Sequence, residues 1–318
     1  MPTESTHSVE PTEDQRLQPA GDSSPIPNRK ACRRPPPGVF SESGLIRFRL
    51  LAGRIQLDPM RYRKGTAEID NEDFTESMTV SSTSGVPSVH YRFRDEYQKI
   101  QLVAEQGKSL RIESTILATG EQAILEQRRG ADIRWNTRRD PMVASELDQQ
   151  ASGPTLLHIV GQDEAGFQIH VDSFLSRMLL GRSLIELTER TENYLRENSE
   201  SLSIVSSDQI NKLIDQLRSQ KSSKRRAAAC KLTQFGTSAI PFLSTALERN
   251  DLDAEQRTRI QTLIARCPRV DEDTPSSLAC LLSTDRDLWQ IMAQRMNQTE
   301  WLAANDHIRR CGLESLTR

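Results

Sequence analysis

At 318 residues the chain is long enough for two ordinary domains, since single cores stop growing before roughly 300 residues. Its 42 Lys and Arg against 44 Asp and Glu give a formal net charge of -2, which excludes a global field able to gather nucleic acid or anionic membrane and leaves only a local patch for such a partner. The apolar fraction of 36% is low enough that part of the length buries nothing, and no run approaches the ~20 apolar residues of a membrane-spanning helix.

Residues 1 to 38 are rich in Pro, Ser, Thr, Glu and Gln and end in "ACRRPPPG". That composition cannot offset the entropy of ordering and predicts a disordered tail. Arg29, Lys30, Arg33 and Arg34 ahead of Pro35 to Pro37 would alternatively suit a docking peptide. Glu4, Glu10, Glu13 and Asp14 argue against a transit peptide, and no apolar signal core is present. Five cysteines without a C-x-x-C pair read as reduced thiols, so the expected location is the cytoplasm.

From Gly44 the hydrophobic period is two. "LIRFRL" sets Ile46, Phe48 and Leu50 against Arg47 and Arg49, and "VHYRFR" sets Val89, Tyr91 and Phe93 against His90, Arg92 and Arg94. Both predict half-buried strands that are apolar inside and cationic outside. "KIQLVAEQGKSLRIEST" predicts a hairpin turning at Gln106-Gly107. "AILEQ", "ADIRW", "TLLHIV" and "FQIHV" read as further strands, so residues 39–171 are expected to form an antiparallel β sandwich or partly closed barrel.

A helical period follows. Phe174, Met178 and Leu179, then Leu184, Leu187 and Leu195, predict bridging helices over 172–196, with a polar linker at 197–205. Within 206–318, Ser206 with Gln209 and Asp253 with Gln256 spell helix caps, Thr274-Pro275 starts another helix and Thr299 begins the last. Ala229, Leu232 and Phe235 form one apolar stripe; Gly236 ends that helix, Pro241 falls in the first turn of the next, and Ile240, Leu243 and Leu247 face inward. Such a pair cannot bury its stripe alone and must stack on neighbours.

"RRAAACKLTQFGTSAIPFLSTAL" resembles the HEAT-repeat pattern at Arg226, Ala229, Leu232, Gly236, Ala239, Ile240, Pro241, Leu243 and Leu247. About one repeat matches well, and the chain beyond Thr274 matches loosely. Together with "RIQTLIARC", "EDTPSSLACLLSTDRDLW" and "WLAANDHIRR", the segment is similar to a family of uncharacterised HEAT-like proteins of planctomycete bacteria that carry a β-rich N-terminal half. The resemblance implies an α+β chain of bacterial origin with a helical-repeat C-terminal half, and it transfers no catalytic residue.

Motifs for chemistry are absent or misplaced. Gly107-Lys108-Ser109 spells the end of a P-loop, but Leu102 stands where its first glycine belongs and the context is a hairpin turn. "GTSAI" fails as a nucleophile elbow, and Asp70, Glu72 and Asp73 lie among polar turn residues. His158 and His170 would pair across one hairpin only in one register, and no third metal ligand stands at fitting spacing. The notable charge run is Arg218, Lys221, Lys224, Arg225, Arg226 and Lys231, whose first five members are the candidate partner or phosphate contacts. The expectation is a non-enzymatic interaction or scaffold protein with a protein partner, no cofactor, no metal and no membrane. The alternative is nucleic-acid binding through the edge at Lys224, Arg225 and Arg226.

Overall fold

Alternating burial decides the first half of the chain. The structure, a computed structural model, describes residues 38–138, 149–199, 207–249, 251–266 and 272–318. After the short helix α1 (Val39–Glu42), strands β1 (Ile46–Leu51) and β2 (Arg54–Tyr62) form a separate antiparallel hairpin. Eight further strands follow: β3 (Gly65–Asp70), β4 (Phe74–Thr83), β5 (Val86–Asp95), β6 (Gln98–Glu105), β7 (Ser109–Ile116), β8 (Gln122–Arg128), β9 (Ile133–Arg138) and β10 (Gln149–Gly153). They pair in simple sequence order as an antiparallel meander running from β3 at one edge to β10 at the other. Among the described residues those edges do not pair with each other, so the sheet is open. Met78, Val80, Val89, Tyr91, Ile100, Leu102, Ile112, Leu125 and Trp135 alternate onto one buried face.

The turn of the first hairpin is fixed from far along the chain. Ala52 and Gly53 both have positive φ (52 and 69), the geometry of a two-residue turn that follows strand twist. Both turn amides donate to the Asp273 carboxylate, at 3.0 and 2.7 Å, and the Asp273 amide donates to the Leu50 carbonyl at 3.0 Å. Burial pushes the Asp273 carboxyl above its usual range, while the two amides work against that rise.

Two expected strands are helical. "TLLHIV" lies in α2 (Leu156–Gln162), and "FQIHV" falls on the end of α3 (Glu164–Phe167) and a π-helical turn at Gln168–Asp172, which runs on into α4 (Ser173–Met178). Leu156 to Val160 are five consecutive buried residues, an apolar run whose period does not separate a buried strand from a helix enclosed on all sides. α2 is so enclosed, touching β9, β10, α5 (Leu184–Asn198) and a helix near the C-terminus. The β region therefore ends at Gly153 rather than at 171.

The remaining helices are α6 (Ser207–Gln216), α7 (Ser222–Gln234), α8 (Ile240–Leu247), α9 (Ala254–Arg266), α10 (Pro275–Leu282), α11 (Arg286–Ala293) and α12 (Gln298–Arg310). The Thr274 cap starts α10, and the last helix begins one residue earlier than expected, capped by Asn297 with Glu300. Their cores divide. The sheet, the first hairpin, α2, α4, α5 and α10 to α12 share one hydrophobic cluster. α6 to α9 form a second one around Ile210, Leu213, Leu232, Leu243 and Ile260. Residues 206–318 thus do not share a single core, although the described residues belong to one compact unit. The tail of residues 1 to 37, Ser206 and the linker from 200 onward lie outside the described residues.

Candidate interaction site

The basic run is positioned by the α6–α7 turn. Ile210, Leu213, Ile214 and Leu217 bury one face of α6, and the chain then reverses through Arg218 to Lys221. α7 starts without a capping side chain, because the N-cap is Lys221 in an extended conformation and the first turn holds no acid. Its inward positions are Ala228 and Leu232, with Ala229 packed partly against the same cluster.

Arg225 stands three residues before Ala228 and seven before Leu232, so helical periodicity carries it to the inward side. Its guanidinium donates from Nη1 to the carbonyls of Ser219 (2.8 Å) and Gln220 (3.0 Å), and Nε lies 3.8 Å from Glu255. With its side chain 23% exposed, Arg225 holds the preceding turn and is a structural residue rather than a free contact. Arg218, Lys221, Lys224 and Arg226 are exposed and make no ion pair among the described residues. The Arg249 hydrogen bonds hold Asp251 below the usual carboxylate range, with Arg218 adding a smaller contribution. The exposed Lys221, Lys224 and Arg226, together with Arg225, crowd cations at the positive end of a 13-residue helix and raise its electrostatic energy, which a bound anion would lower.

Leu232, Ala239 and Leu243 are buried in the second cluster, and Phe235 and Leu247 pack against it. Gly236 has φ +56 and opens a 3-10 turn at Gly236–Ala239, which feeds Ile240 and Pro241 into α8. Ile240 departs from expectation by packing against the cluster of the sheet, which joins the two cores at this point. The Asp253–Gln256 cap is formed in both directions, at 2.6 and 3.1 Å. Gln256 also donates to the Ile214 carbonyl at 3.1 Å.

Among the described residues the histidines do not converge. His158 is buried on α2, where its Nδ1 meets the Thr155 hydroxyl at 2.9 Å and its Nε2 donates to Asp285 at 3.2 Å. Burial acts to raise the Asp285 carboxyl, but the hydrogen bond and charge of His158 with the Leu288 and Asp287 amides hold it below its usual range. That line of Thr, His and Asp resembles a nucleophile–base–acid series, yet Thr155 and His158 are almost fully buried. His170 lies elsewhere, on the π-helical turn, 3.2 Å from the Ser114 hydroxyl and beside Trp135. His307 bridges the carbonyls of Ser199 and Ser283, each at 2.7 Å. Among the described residues no three His, Cys, Asp or Glu side chains gather as a metal site.

A cavity of about 300 Å³ opens between Phe40, Ile46, Arg47, Met178 and Leu180. Its lining is apolar apart from Ser41 and Arg47, whose guanidinium is bonded to Glu272 at 2.7 Å, and it holds no nucleophile–base pair. Among the described residues no helix is long and apolar enough to cross a membrane. No family model, curated protein or solved structure matches the chain.

Proposed function

We propose that the chain is a non-enzymatic interaction protein whose α6 to α9 helices form a short HEAT-like array for a protein partner. The observation carrying this reading is the layering of those helices. α6 adjoins α8 and α7 adjoins α9, while α6 also packs on α7 and α8 on α9, around a core distinct from that of the sheet. Stacks of this kind present one continuous outer layer, here α7 and α9, to a partner. The cations Lys221, Lys224 and Arg226 at the end of that layer favour an acidic partner surface. Cross-linking of the full chain in extract is expected to place a partner's links on α7 and α9. Lys221→Glu, Lys224→Glu and Arg226→Glu together should abolish them, and unchanged links in that variant would sink the proposal.

A second reading, duplex nucleic-acid binding through the same edge, is favoured by the exposure of Arg218, Lys221, Lys224 and Arg226 without carboxylate partners. It predicts a log-log salt slope of about 0.9 per phosphate contacted, hence roughly 3 to 4 for these four side chains. Absence of retention on duplex DNA or RNA at low salt would eliminate it.

A further inference from the structure

The solvent face of the sheet carries a cationic cluster that neither reading uses. In β5 the side chains of Val89, Tyr91 and Phe93 go inward, leaving His90, Arg92 and Arg94 exposed on the other face. The register sets Arg94 directly opposite Lys99 of β6 and Arg92 opposite Gln101. On the other flank Thr75, Ser77 and Thr79 of β4 stand beside Arg94, Arg92 and His90. Like charges directly opposite across a sheet repel, and Arg92 lies diagonal to that pair.

Glu68 and Asp70 of the edge strand β3 lie on the same face, one strand beyond Ser77 and Thr75, and make no ion pair with the cluster among the described residues, while the carboxylates on the other flank are engaged. Glu113 pairs with Arg111 at 2.6 Å, Glu126 with Arg128 at 2.8 Å, and Glu105 with Lys108 at 3.0 Å. Asp95, at the end of β5, accepts from the amides of Tyr97 and Gln98 at 2.8 and 2.6 Å. Neighbouring Glu96 is exposed and makes no ion pair with the cluster. Among the described residues Arg92, Arg94 and Lys99 therefore have no carboxylate partner, and their exposed side chains lie on a face without a covering helix.

At the end of this cluster stands Tyr97, 69% exposed in the β5–β6 turn. Its amide is held by Asp95, and its carbonyl accepts from the Leu117 amide at 2.8 Å. The backbone under the ring is thus tied from two sides, while the ring contributes nothing to the core. An exposed aromatic ring on a fixed backbone, in the turn that joins the two strands carrying the cations, with Arg92 and Arg94 spaced roughly 7 Å apart along β5, is the combination that stacks a base and tracks a flexible phosphate backbone. Hydroxyls and an amide on the flanking strands add phosphate and sugar hydrogen bonds. A duplex hides its base faces from Tyr97, and an acidic peptide gives the ring nothing to stack on.

We infer that the outer face of β4 to β6 binds single-stranded nucleic acid, with Arg92, Arg94 and Lys99 contacting phosphates and Tyr97 stacking on a base. The test is fluorescence anisotropy of the full chain with a labelled single-stranded oligonucleotide of roughly a dozen nucleotides at low salt. Arg92→Ala, Arg94→Ala and Lys99→Ala together should remove measurable binding, and the single changes should each lower the salt slope by about 0.7. Tyr97→Ala should weaken binding about tenfold and Tyr97→Phe should retain it. All these residues are exposed, so circular dichroism is expected to be unchanged. The Lys221, Lys224 and Arg226 variant separates this site from the helix edge and is expected to bind the single strand normally. No binding by the wild type, equal binding by the sheet variant, loss through the helix-edge variant instead, or preference for duplex or anionic vesicles would each overturn the inference.

Discussion

Glu76 has no exposed side-chain surface, yet its carboxylate sits in the core of the sheet with three donors around it. Arg177 donates at 3.0 Å, the Tyr91 hydroxyl at 2.7 Å and the Val39 amide at 3.0 Å. Arg177 in turn lies over the rings of Phe93 and Phe74, 4.9 and 5.5 Å from their centroids. Burial, reinforced by Glu76, drives the Tyr91 phenol far above its ordinary range, in keeping with its role as a donor to Glu76. Glu76→Ala strips Arg177 of its partner and is expected to cost about 3 to 5 kcal/mol in urea unfolding, whereas Tyr91→Phe should cost about 1 to 2 kcal/mol. A Glu76→Ala variant as stable as the wild type would show the buried pair to be dispensable. His170 makes a pH prediction. Burial lowers it below the ordinary histidine range, with Glu121 and Asp163 opposing. A histidine lowered in the fold contributes stability that is complete above its unfolded value, ~6.5, and is lost as pH falls below that because the unfolded chain takes the proton first. Denaturation midpoints between pH 7 and 5 should therefore fall less in His170→Asn than in the wild type.

Among the elements, α7 separates side chains that look alike in sequence. Leu232→Ala should leave a cavity costing about 2 to 5 kcal/mol, and Arg226→Ala should cost less than about 0.5 kcal/mol. Arg225→Ala should fall between them, at about 1 to 2 kcal/mol, because it loses two hydrogen bonds to carbonyls. Thermal melts in which Arg225→Ala matches Arg226→Ala would contradict the inward placement. A methyl group added at Gly236 would meet nothing within 4 Å, so Gly236→Ala should cost only the left-handed strain, about 1 kcal/mol. The inward side of Arg225 is written in its spacing to Ala228 and Leu232, but composition alone groups it with its exposed neighbours. Strands β1, β5, β6 and β7 are legible because apolar and polar residues alternate cleanly. β3 and β4 are not, since "GTAEID" and "FTESMTVSST" bury only Met78, Val80 and the carboxylate of Glu76 among mostly polar residues. The cationic sheet face depends on register between strands, which fixes that Arg94 faces Lys99, and no local pattern states it. Likewise the partners of His158 and Asp273 lie 127 and 220 residues away along the chain.

The molecule as a whole is organised by a core whose two parts lie at opposite ends of the sequence. Leu278, Leu282, Leu288, Trp289 and Ile308 from α10 to α12 pack in one cluster with the sheet and α2, while α6 to α9 form their own cluster in between. A chain ending at residue 266 should lose more than its last helices. Of the three tryptophans, Trp135, Trp289 and Trp301, it keeps only Trp135, which is fully buried in the sheet core. Its fluorescence should shift to the red and its near-UV dichroism should vanish; a native Trp135 signal in that fragment would mean that the sheet folds without its C-terminal cover. The same arrangement sets an order of events during synthesis. When α5 has left the ribosome, the helices that complete its packing are still untranslated, and at 5 to 20 residues per second they arrive on the order of ten seconds later. During that interval the sheet and α2 lack the C-terminal helices that share their cluster, so apolar surface of the nascent chain is expected to stay open to water and to holding chaperones. Premature termination is accordingly expected to be more damaging here than in proteins whose N-terminal halves fold alone.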